Sequence, residues 1–199
     1  MISTTSNSSA LNTIIMIRII NRIYNRLRSD LYLLFIKSRY GHIGSTVRIY
    51  SPLEIDGHEN IFIGNNVRIG DKAWLAALPL TGSEARLEIG DGCLIGHFNH
   101  IYCTHSIRIE NDVLTADKVY ISDNAHSYED LSKPIWKQPI RQLKDVVIGE
   151  GSWLGENVCI CGASVGKHCV IGANSVVTHD IPDYCVAVGA PARVIKKIK

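Results

Sequence analysis

The sequence predicts an all-β fold, a parallel β-helix with triangular coils, with an N-terminal α-helical segment and a long inserted loop. An aliphatic residue, often followed by glycine, recurs every six residues over most of residues 43–195. Period six fits neither the 3.6-residue period of a helix nor the alternation of a simple strand, but it fits short strands joined at corners, three to a coil. The repeat runs through Ile43, Ile49, Ile55, Ile63, Ile69 and Leu75, through Ile89, Ile95, Ile101 and Ile107, through Ile109, Thr115 and Ile121, and through Ile148, Leu154, Ile160, Val165, Ile171 and Val177.

A second position of the repeat is small. Four residues after an aliphatic position the sequence has Ala73, Cys93, Cys169, Ser175 and Cys185. We expect these side chains to fill a narrow interior, with the cysteines acting as small hydrophobes. Glycine or asparagine at the corners is expected to accept a positive φ. None of the six cysteines forms a C-x-x-C pair, so we expect reduced thiols and a cytoplasmic protein.

The chain of 199 residues is long enough for one principal domain. We predict a disordered N-terminus over 1–10, a helical segment over 11–40, and a β-helix domain with a C-terminal tail over 41–199. The formal net charge of +2 gives no general argument for nucleic acid.

The helical segment carries its polar residues three or four positions apart, as on one face of a helix. These residues are Arg18, Asn21, Arg22, Asn25, Arg26 and Ser29. Arginines interrupt each apolar run too early for a membrane span. Two interpretations remain: the helix packs against the coil or a neighbouring subunit, or its basic stripe makes peripheral contact with the cytoplasmic membrane.

Three departures interrupt the repeat. Residues 76–87 indicate a short corner loop, and residues 123–145 form a 23-residue insertion of the length that is usually functional or disordered. A one-residue contraction falls at Cys161-Gly162-Ala163, and we assign it no chemistry.

The most specific motifs follow the coil toward the C-terminus. They are ISDNAHSYEDLSKPIWKQ from Ile121, VVIGEGSWLGENVCI from Val146, GANSVVTHDIPDY from Gly172 and GAPARVIKK from Gly189. Together they resemble the hexapeptide-repeat acyltransferases, in the maltose and galactoside acetyltransferase branch and especially the polysaccharide O-acetyltransferases. The resemblance implies a left-handed coil, a homotrimer, acetyl-CoA as co-substrate and a glycan acceptor, in a surface polysaccharide or its precursor.

The resemblance places the general base of the family at His126. A sugar hydroxyl is a weak nucleophile near neutral pH, so a neutral imidazole must take its proton as the oxygen attacks the thioester. Direct transfer is expected, without an acyl-enzyme. Asp123 and Glu129 are candidates for orienting His126, while Asn124 stands where the family often has a second histidine.

For the acceptor, the resemblance indicates either His97 or Asn99, and Trp136 either stacks on a sugar or anchors the loop. For CoA it implies a groove between subunits lined by Trp153, Glu156, Ala173, Thr178, Arg193 and Lys196. His179 replaces a lysine common in the family, which puts that phosphate contact in doubt.

Three other classes of function stay open. His97, His100, His105 and His126 cluster in sequence, and γ-type carbonic anhydrases use histidines on this fold, although we expect no metal here. Transfer to an amine, as in sugar-nucleotide N-acetyltransferases, is the nearer alternative, and a catalytically silent scaffold is the third.

Overall fold

The computed structural model describes residues 5–199, and side chains from residue 11 onward. After one helix, α1 (Thr5–Ile36), the chain winds into a left-handed parallel β-helix, as predicted. Its three flat sides are called faces A, B and C, in the order in which each coil visits them. Where the chain passes from face B to C or from C to A, we write the B–C and C–A corners.

Face A contains β1 (His42–Ile43), β4 (Ile61–Ile63), β7 (Arg86–Ile89), β10 (Ser106–Ile109) and β15 (Val146–Ile148). Face B contains β2 (Arg48–Ile49), β5 (Arg68–Ile69), β8 (Leu94–Ile95), β11 (Leu114–Thr115), β16 (Trp153–Leu154), β18 (Val170–Ile171), β20 (Cys185–Gly189) and β21 (Ala192–Lys197). Face C contains β3 (Glu54–Asp56), β6 (Trp74–Ala77), β9 (His100–Cys103), β12 (Tyr120–Ser122), β17 (Cys159–Cys161) and β19 (Val176–Val177). Short 3₁₀ helices cover Lys37–Arg39, His58–Asn60 and Ile135–Lys137.

The interior is one stack of aliphatic side chains. The repeat positions from Ile61 to Val177 are buried, and strands on each face pair in register, for example Ile69 with Ile95. The predicted small positions are confirmed as buried: Ala73, Cys93, Cys169, Ser175 and Cys185. This columnar core is the main source of stability, because burying each large aliphatic side chain contributes roughly 1.5–3 kcal/mol.

A positive φ at the corners is confirmed for asparagine, as at Asn66, but the glycine after each aliphatic residue has a different role. Gly70 does not have a positive φ; instead, a Cβ there would lie 2.7 Å from the backbone carbon of Gly96 in the next coil. The positive φ falls two residues later, at Asn66 (φ 57°) and Lys72 (φ 59°). The repeat therefore selects glycine because consecutive coils approach closely at that corner.

Helix α1 begins earlier than predicted. Residues 5–10 are helical rather than disordered, and residues 1–4 of the predicted disordered segment lie outside the described residues. Only the C-terminal part of α1 packs on the coil: the Ser29 hydroxyl accepts the Ile49 N–H at 3.0 Å, and Tyr32 and Leu33 contact the core. Between residues 11 and 27 the large apolar side chains are exposed. The predicted packing of the helix against the coil is therefore found in its last turns alone. In the described part of the chain, no helix is long and apolar enough to span a membrane.

Both inserted loops leave the C–A corner. The first is shorter than predicted, because β6 continues to Ala77 and β7 begins at Arg86. The second, 123–145, folds back as an antiparallel hairpin of β13 (Asn124–His126) and β14 (Ile140–Gln142). The contraction is absorbed at Gly162, which has φ 56°.

The cysteines divide into two groups. Cys93, Cys103, Cys169 and Cys185 are buried, and all six are free thiols. Cys159 and Cys161 are only half-buried on face C, with their sulfur atoms 3.5 Å apart. The hydrogen bond between the two thiols lowers the pKa of Cys161 below its ordinary value.

Candidate active site

Asp123 organises the C–A corner from which the long loop leaves. Its buried carboxylate accepts the backbone N–H groups of Thr104, His105 and Ser106, at 2.8, 2.8 and 2.9 Å. It also accepts the Thr104 hydroxyl at 3.0 Å and the Asn124 amide at 2.9 Å. This one side chain therefore ties the long loop to the turn one coil earlier.

The environment of Asp123 favours its charged form. Burial acts to raise the pKa of Asp123, but the hydrogen bonds from Asn124, Thr104 and His105 outweigh it and hold the pKa below its ordinary value. In the described structure, the hydrogen bonds of the Asp123 carboxylate go to Cys103–Ser106 and Asn124, and none goes to His126. The Asp123 carboxylate therefore holds the turn at residues 104–106, and its role in orienting His126 stays a prediction.

Gln142 joins the two loops, a role that the sequence did not reveal. Its Oε1 accepts the Thr81 hydroxyl of the first loop at 2.8 Å and lies 3.1 Å from Oγ1 of Thr104, whose hydroxyl is shared with Asp123. Its Nε2 is buried without a hydrogen-bond partner. Sequence spacing gave no signal for this contact, since Thr81 and Gln142 are 61 residues apart.

His126 ends β13 and is exposed at the surface of the hairpin. Its backbone pairs with Ile140, while its ring makes no hydrogen bond or ion pair to another described residue. Glu129, the other candidate for orienting it, instead accepts the Tyr128 N–H at 2.9 Å and pairs with Arg141 at 3.3 Å. The imidazole of His126 is therefore accessible to a ligand.

Another histidine at this corner was not selected from the sequence as a base. The Nδ1 of His105 lies 2.7 Å from the Asp145 carboxylate, where the inserted loop rejoins the coil. This hydrogen bond raises the pKa of His105. The His105–Asp145 pair therefore lies beside the Asp123 turn, at the base of the loop.

The predicted acceptor residues do not come together. Asn99 is fully buried: its Oδ1 accepts the Thr115 hydroxyl and its Nδ2 donates to the Ala116 carbonyl, both at 2.8 Å. Both ends of its amide are therefore satisfied inside the coil, which favours a structural role for Asn99. His97 is exposed at the B–C corner, and Trp136 is 73% exposed on the inserted loop.

The predicted CoA residues fall into two surface groups. Trp153 lies outward on face B between Leu114 and Val170, and Lys196 lies on β21 at the end of the same face. Glu156 and Ala173 follow at the B–C corner, where the Asn174 N–H donates to the Glu156 carbonyl at 2.9 Å.

The second group lies at the C-terminal end of the coil, with Thr178 at the C–A corner and Arg193 on β21 of face B. The Thr178 hydroxyl is 3.0 Å from Nδ1 of His179, and His179 and Arg193 line one cleft of about 290 Å³. These two groups lie on different parts of the coil surface of one chain.

The four sequence-clustered histidines are dispersed. His97 is at the B–C corner, His105 pairs with Asp145, and His100 stacks on Trp74 with ring centroids 4.3 Å apart. Among the described residues, no group of three or more His, Cys, Asp or Glu side chains is arranged to hold a metal ion.

Comparison with known proteins agrees with this architecture. Residues 145–179 match the family described as hexapeptide repeat of succinyl-transferase. The chain is 30% identical over 151 residues to galactoside O-acetyltransferase of Escherichia coli, covering 74% of this chain and 71% of that protein. The chain belongs to the hexapeptide-repeat acetyltransferases.

For two other relatives of this chain, the region of similarity covers only about half of the relative's own length. A probable acetyltransferase of Mycobacterium tuberculosis is 39% identical over 77% of this chain and 49% of that protein. The putative lipopolysaccharide biosynthesis O-acetyl transferase WbbJ of Escherichia coli is 40% identical over 54% of this chain and 58% of that protein. The chain thus spans about half the length of these relatives.

Among solved structures, AntD from Bacillus cereus, an N-acyltransferase in complex with dTDP and 3-hydroxybutyryl-CoA, has a similar fold. The TM-score is 0.68 at 22% identity, covering 82% of this chain and 86% of that one.

Proposed function

We propose that this protein is an acetyl-CoA-dependent O-acetyltransferase that acetylates a sugar hydroxyl of a cell-surface polysaccharide or its precursor. The observation that supports it most is His126, an accessible imidazole on a hairpin anchored by Asp123. The names of two relatives, galactoside O-acetyltransferase and WbbJ, favour a sugar hydroxyl as acceptor.

In the proposed reaction, His126 takes the proton of the sugar hydroxyl while its oxygen attacks the thioester carbonyl. The carbon–sulfur bond then breaks, CoA leaves as a thiolate, and the proton passes to that sulfur. Such a base contributes roughly 10²- to 10⁴-fold in rate. Asp123 acts here through the loop that it anchors, not on the ring.

We propose that acetyl-CoA lies along a groove between subunits of a homotrimer. The separation of Trp153 on face B from Thr178 at the C–A corner supports this arrangement, since a groove completed by a neighbouring chain brings different corners together. Lys196 and Arg193 supply charge for phosphates. The mass of the protein in solution tests the trimer, and a monomer at working concentration would contradict it.

Peripheral contact with the inner face of the cytoplasmic membrane remains part of the proposal. Helix α1 supports it with exposed apolar residues between 11 and 27 and arginines at 18, 22 and 26. Removing residues 1–38 should then release the protein from membranes, and unchanged association would contradict the contact.

The first experiment is acetyl transfer from isotope-labelled acetyl-CoA to a panel of glycans, detected by mass spectrometry. His126→Ala should lose about 10²- to 10⁴-fold of the rate. His42→Ala, an exposed histidine on the first coil, is the matched control and should transfer normally.

His105→Ala distinguishes the two candidate bases. Loss of transfer in His105→Ala with retention in His126→Ala would assign the proton transfer to the His105–Asp145 pair. No transfer by the wild type to any acceptor would contradict the proposed activity.

Transfer to an amine is the second candidate, favoured by the similarity in fold to the N-acyltransferase AntD. The product separates the two, because an ester is cleaved by mild base and an amide is not. A base-stable product would replace the O-acetyl proposal.

A further inference from the structure

Four arginines from two separate elements face one another across a cleft between α1 and face B. Arg22 and Arg26 come from α1, and Arg48 and Arg68 come from β2 and β5. We call this space the arginine cleft. Its volume is about 620 Å³, within the roughly 300–1,000 Å³ typical of ligand sites.

Each side of the arginine cleft holds a pair of like charges. Arg48 and Arg68 are directly opposite each other on neighbouring parallel strands, and Arg22 and Arg26 are four residues apart on a helix. Both arrangements are repulsive, since like charges at these spacings destabilise a sheet or a helix. The fold therefore brings these positive charges together although their repulsion lowers its free energy of unfolding.

Little negative charge compensates these arginines. Arg48 pairs with Asp30 at 3.1 Å, but no carboxylate among the described residues forms an ion pair with Arg22, Arg26 or Arg68. The acidic residue that lines the cleft is Asp71, whose carboxylate lies 3.3 Å from Nδ1 of His97. The four arginines thus have two carboxylates beside them, Asp30 and Asp71.

The neutral polar groups of the cleft complete a set of hydrogen-bond donors. Tyr50 and Asn25 line the cleft beside the arginines. The His97 ring also lines the cleft, with its Nδ1 held 2.9 Å from the Asp71 backbone nitrogen. Arginine guanidinium groups bind phosphate oxygens through paired, charge-assisted hydrogen bonds.

We propose that the arginine cleft binds the diphosphate or phosphate group of an anionic ligand, the chemistry shared by nucleotide-linked sugars and lipid headgroups. The proposal goes beyond acetyl transfer and does not depend on it, because binding requires neither His126 nor acetyl-CoA. Should the glycan acceptor carry such a group, the cleft recognises the carrier rather than the sugar.

The test is calorimetric titration of the full chain with inorganic diphosphate and with dTDP, without acetyl-CoA. The cleft variant is Arg22→Gln/Arg26→Gln/Arg68→Gln, and the control variant, Arg39→Gln/Arg86→Gln/Arg108→Gln, loses the same charge outside the cleft and outside α1. Affinity should fall at least about tenfold in the cleft variant and stay within about twofold in the control, because localised contacts depend on position.

Co-sedimentation with vesicles of phosphatidylglycerol, compared with phosphatidylcholine, distinguishes the source of the phosphate. Cleft-dependent binding of the soluble probes supports a nucleotide-type ligand, and cleft-dependent binding of the anionic vesicles alone supports a lipid headgroup. Equal losses in the cleft and control variants, or no binding of any probe, would overturn the proposal.

Asp71→Asn gives a test that a folding defect cannot imitate. Removing the carboxylate that lines the cleft should tighten diphosphate binding by a few-fold, since repulsion of the anion is relieved. Unchanged or weaker binding in a variant with wild-type thermal stability would also overturn the proposal.

Discussion

The C–A corner and the arginine cleft are both polar regions of one β-helix, but charge is compensated by hydrogen bonds in the first and largely uncompensated in the second. At the corner, the buried carboxylate of Asp123 receives donors from Thr104, His105, Ser106 and Asn124. In the cleft, arginines face one another with little compensation. Groups that are satisfied within the chain serve the fold, whereas groups left accessible or in repulsion are available to a ligand. Each prediction below tests that distinction.

The largest effect is expected at Asp123. Asp123→Ala leaves the buried N–H groups of residues 104–106 without an acceptor and should lower the free energy of unfolding by about 3 kcal/mol or more. Urea denaturation measures it. Asp145→Ala, at the same corner but in an exposed pair, is the control and should cost at most about 1 kcal/mol. Equal effects would contradict a structural role for Asp123.

The same carboxylate predicts a pH dependence. Its pKa is lower in the folded than in the unfolded chain, where it is about 3.9. The contribution of Asp123 to the free energy of unfolding is therefore complete above about pH 4. It is lost as the pH falls through the pKa of Asp123 in the folded chain. Asp123→Asn should flatten this part of the stability curve in acid denaturation, and an unchanged slope would show that other carboxylates dominate.

An intermediate effect is expected at Asn99. Asn99→Ala should lower the free energy of unfolding by about 2 kcal/mol, because the Thr115 hydroxyl and Ala116 carbonyl lose a buried partner. Asn12→Ala, on the exposed part of α1, should change it by less than about 0.5 kcal/mol. Weaker acceptor binding with unchanged stability would instead support a role for Asn99 in binding the acceptor.

The smallest effect, of opposite sign, is expected in the cleft. Arg26→Gln removes a like-charge neighbour of Arg22 and should raise the free energy of unfolding by about 0.3 kcal/mol at low salt. The gain should vanish at high salt, where surface charges are screened. Arg39→Gln, outside the cleft, is the control. A loss above about 1 kcal/mol at Arg26 would place this arginine among the groups that stabilise the fold.

The fold was predictable because the coil repeats one local solution. The six-residue spacing placed Ile69, Leu75 and Ile95 in the interior before any contact was known, and all three are buried there. The predicted role of the corner glycines was less accurate. Gly70 is required because the neighbouring coil approaches closely, and the local sequence does not describe that coil.

The candidate site was less predictable because it depends on contacts across coils. Asn99 is polar and was therefore predicted as a candidate for contact with the sugar. Its burial depends on a hydrogen bond from the Thr115 hydroxyl, sixteen residues later, which residue type does not predict. The bridge from Thr81 to Gln142 and the pairing of His105 with Asp145 likewise join segments 61 and 40 residues apart. The arginine cleft needed the orientation of α1 relative to face B, which periodicity alone does not give.

The two ends of the β-helix have a consequence for assembly. Stacked parallel strands leave unpaired backbone groups at the first and last coils, which would let molecules join end to end into fibres. At the first coil α1 lies over β2, and the Ser29 hydroxyl takes up the Ile49 N–H. At the last, β21 turns back antiparallel on β20 and carries Lys196 and Lys197 on the outermost strand. The chain thus covers the outermost strand of face B at both ends of the coil, which disfavours end-to-end pairing on that face.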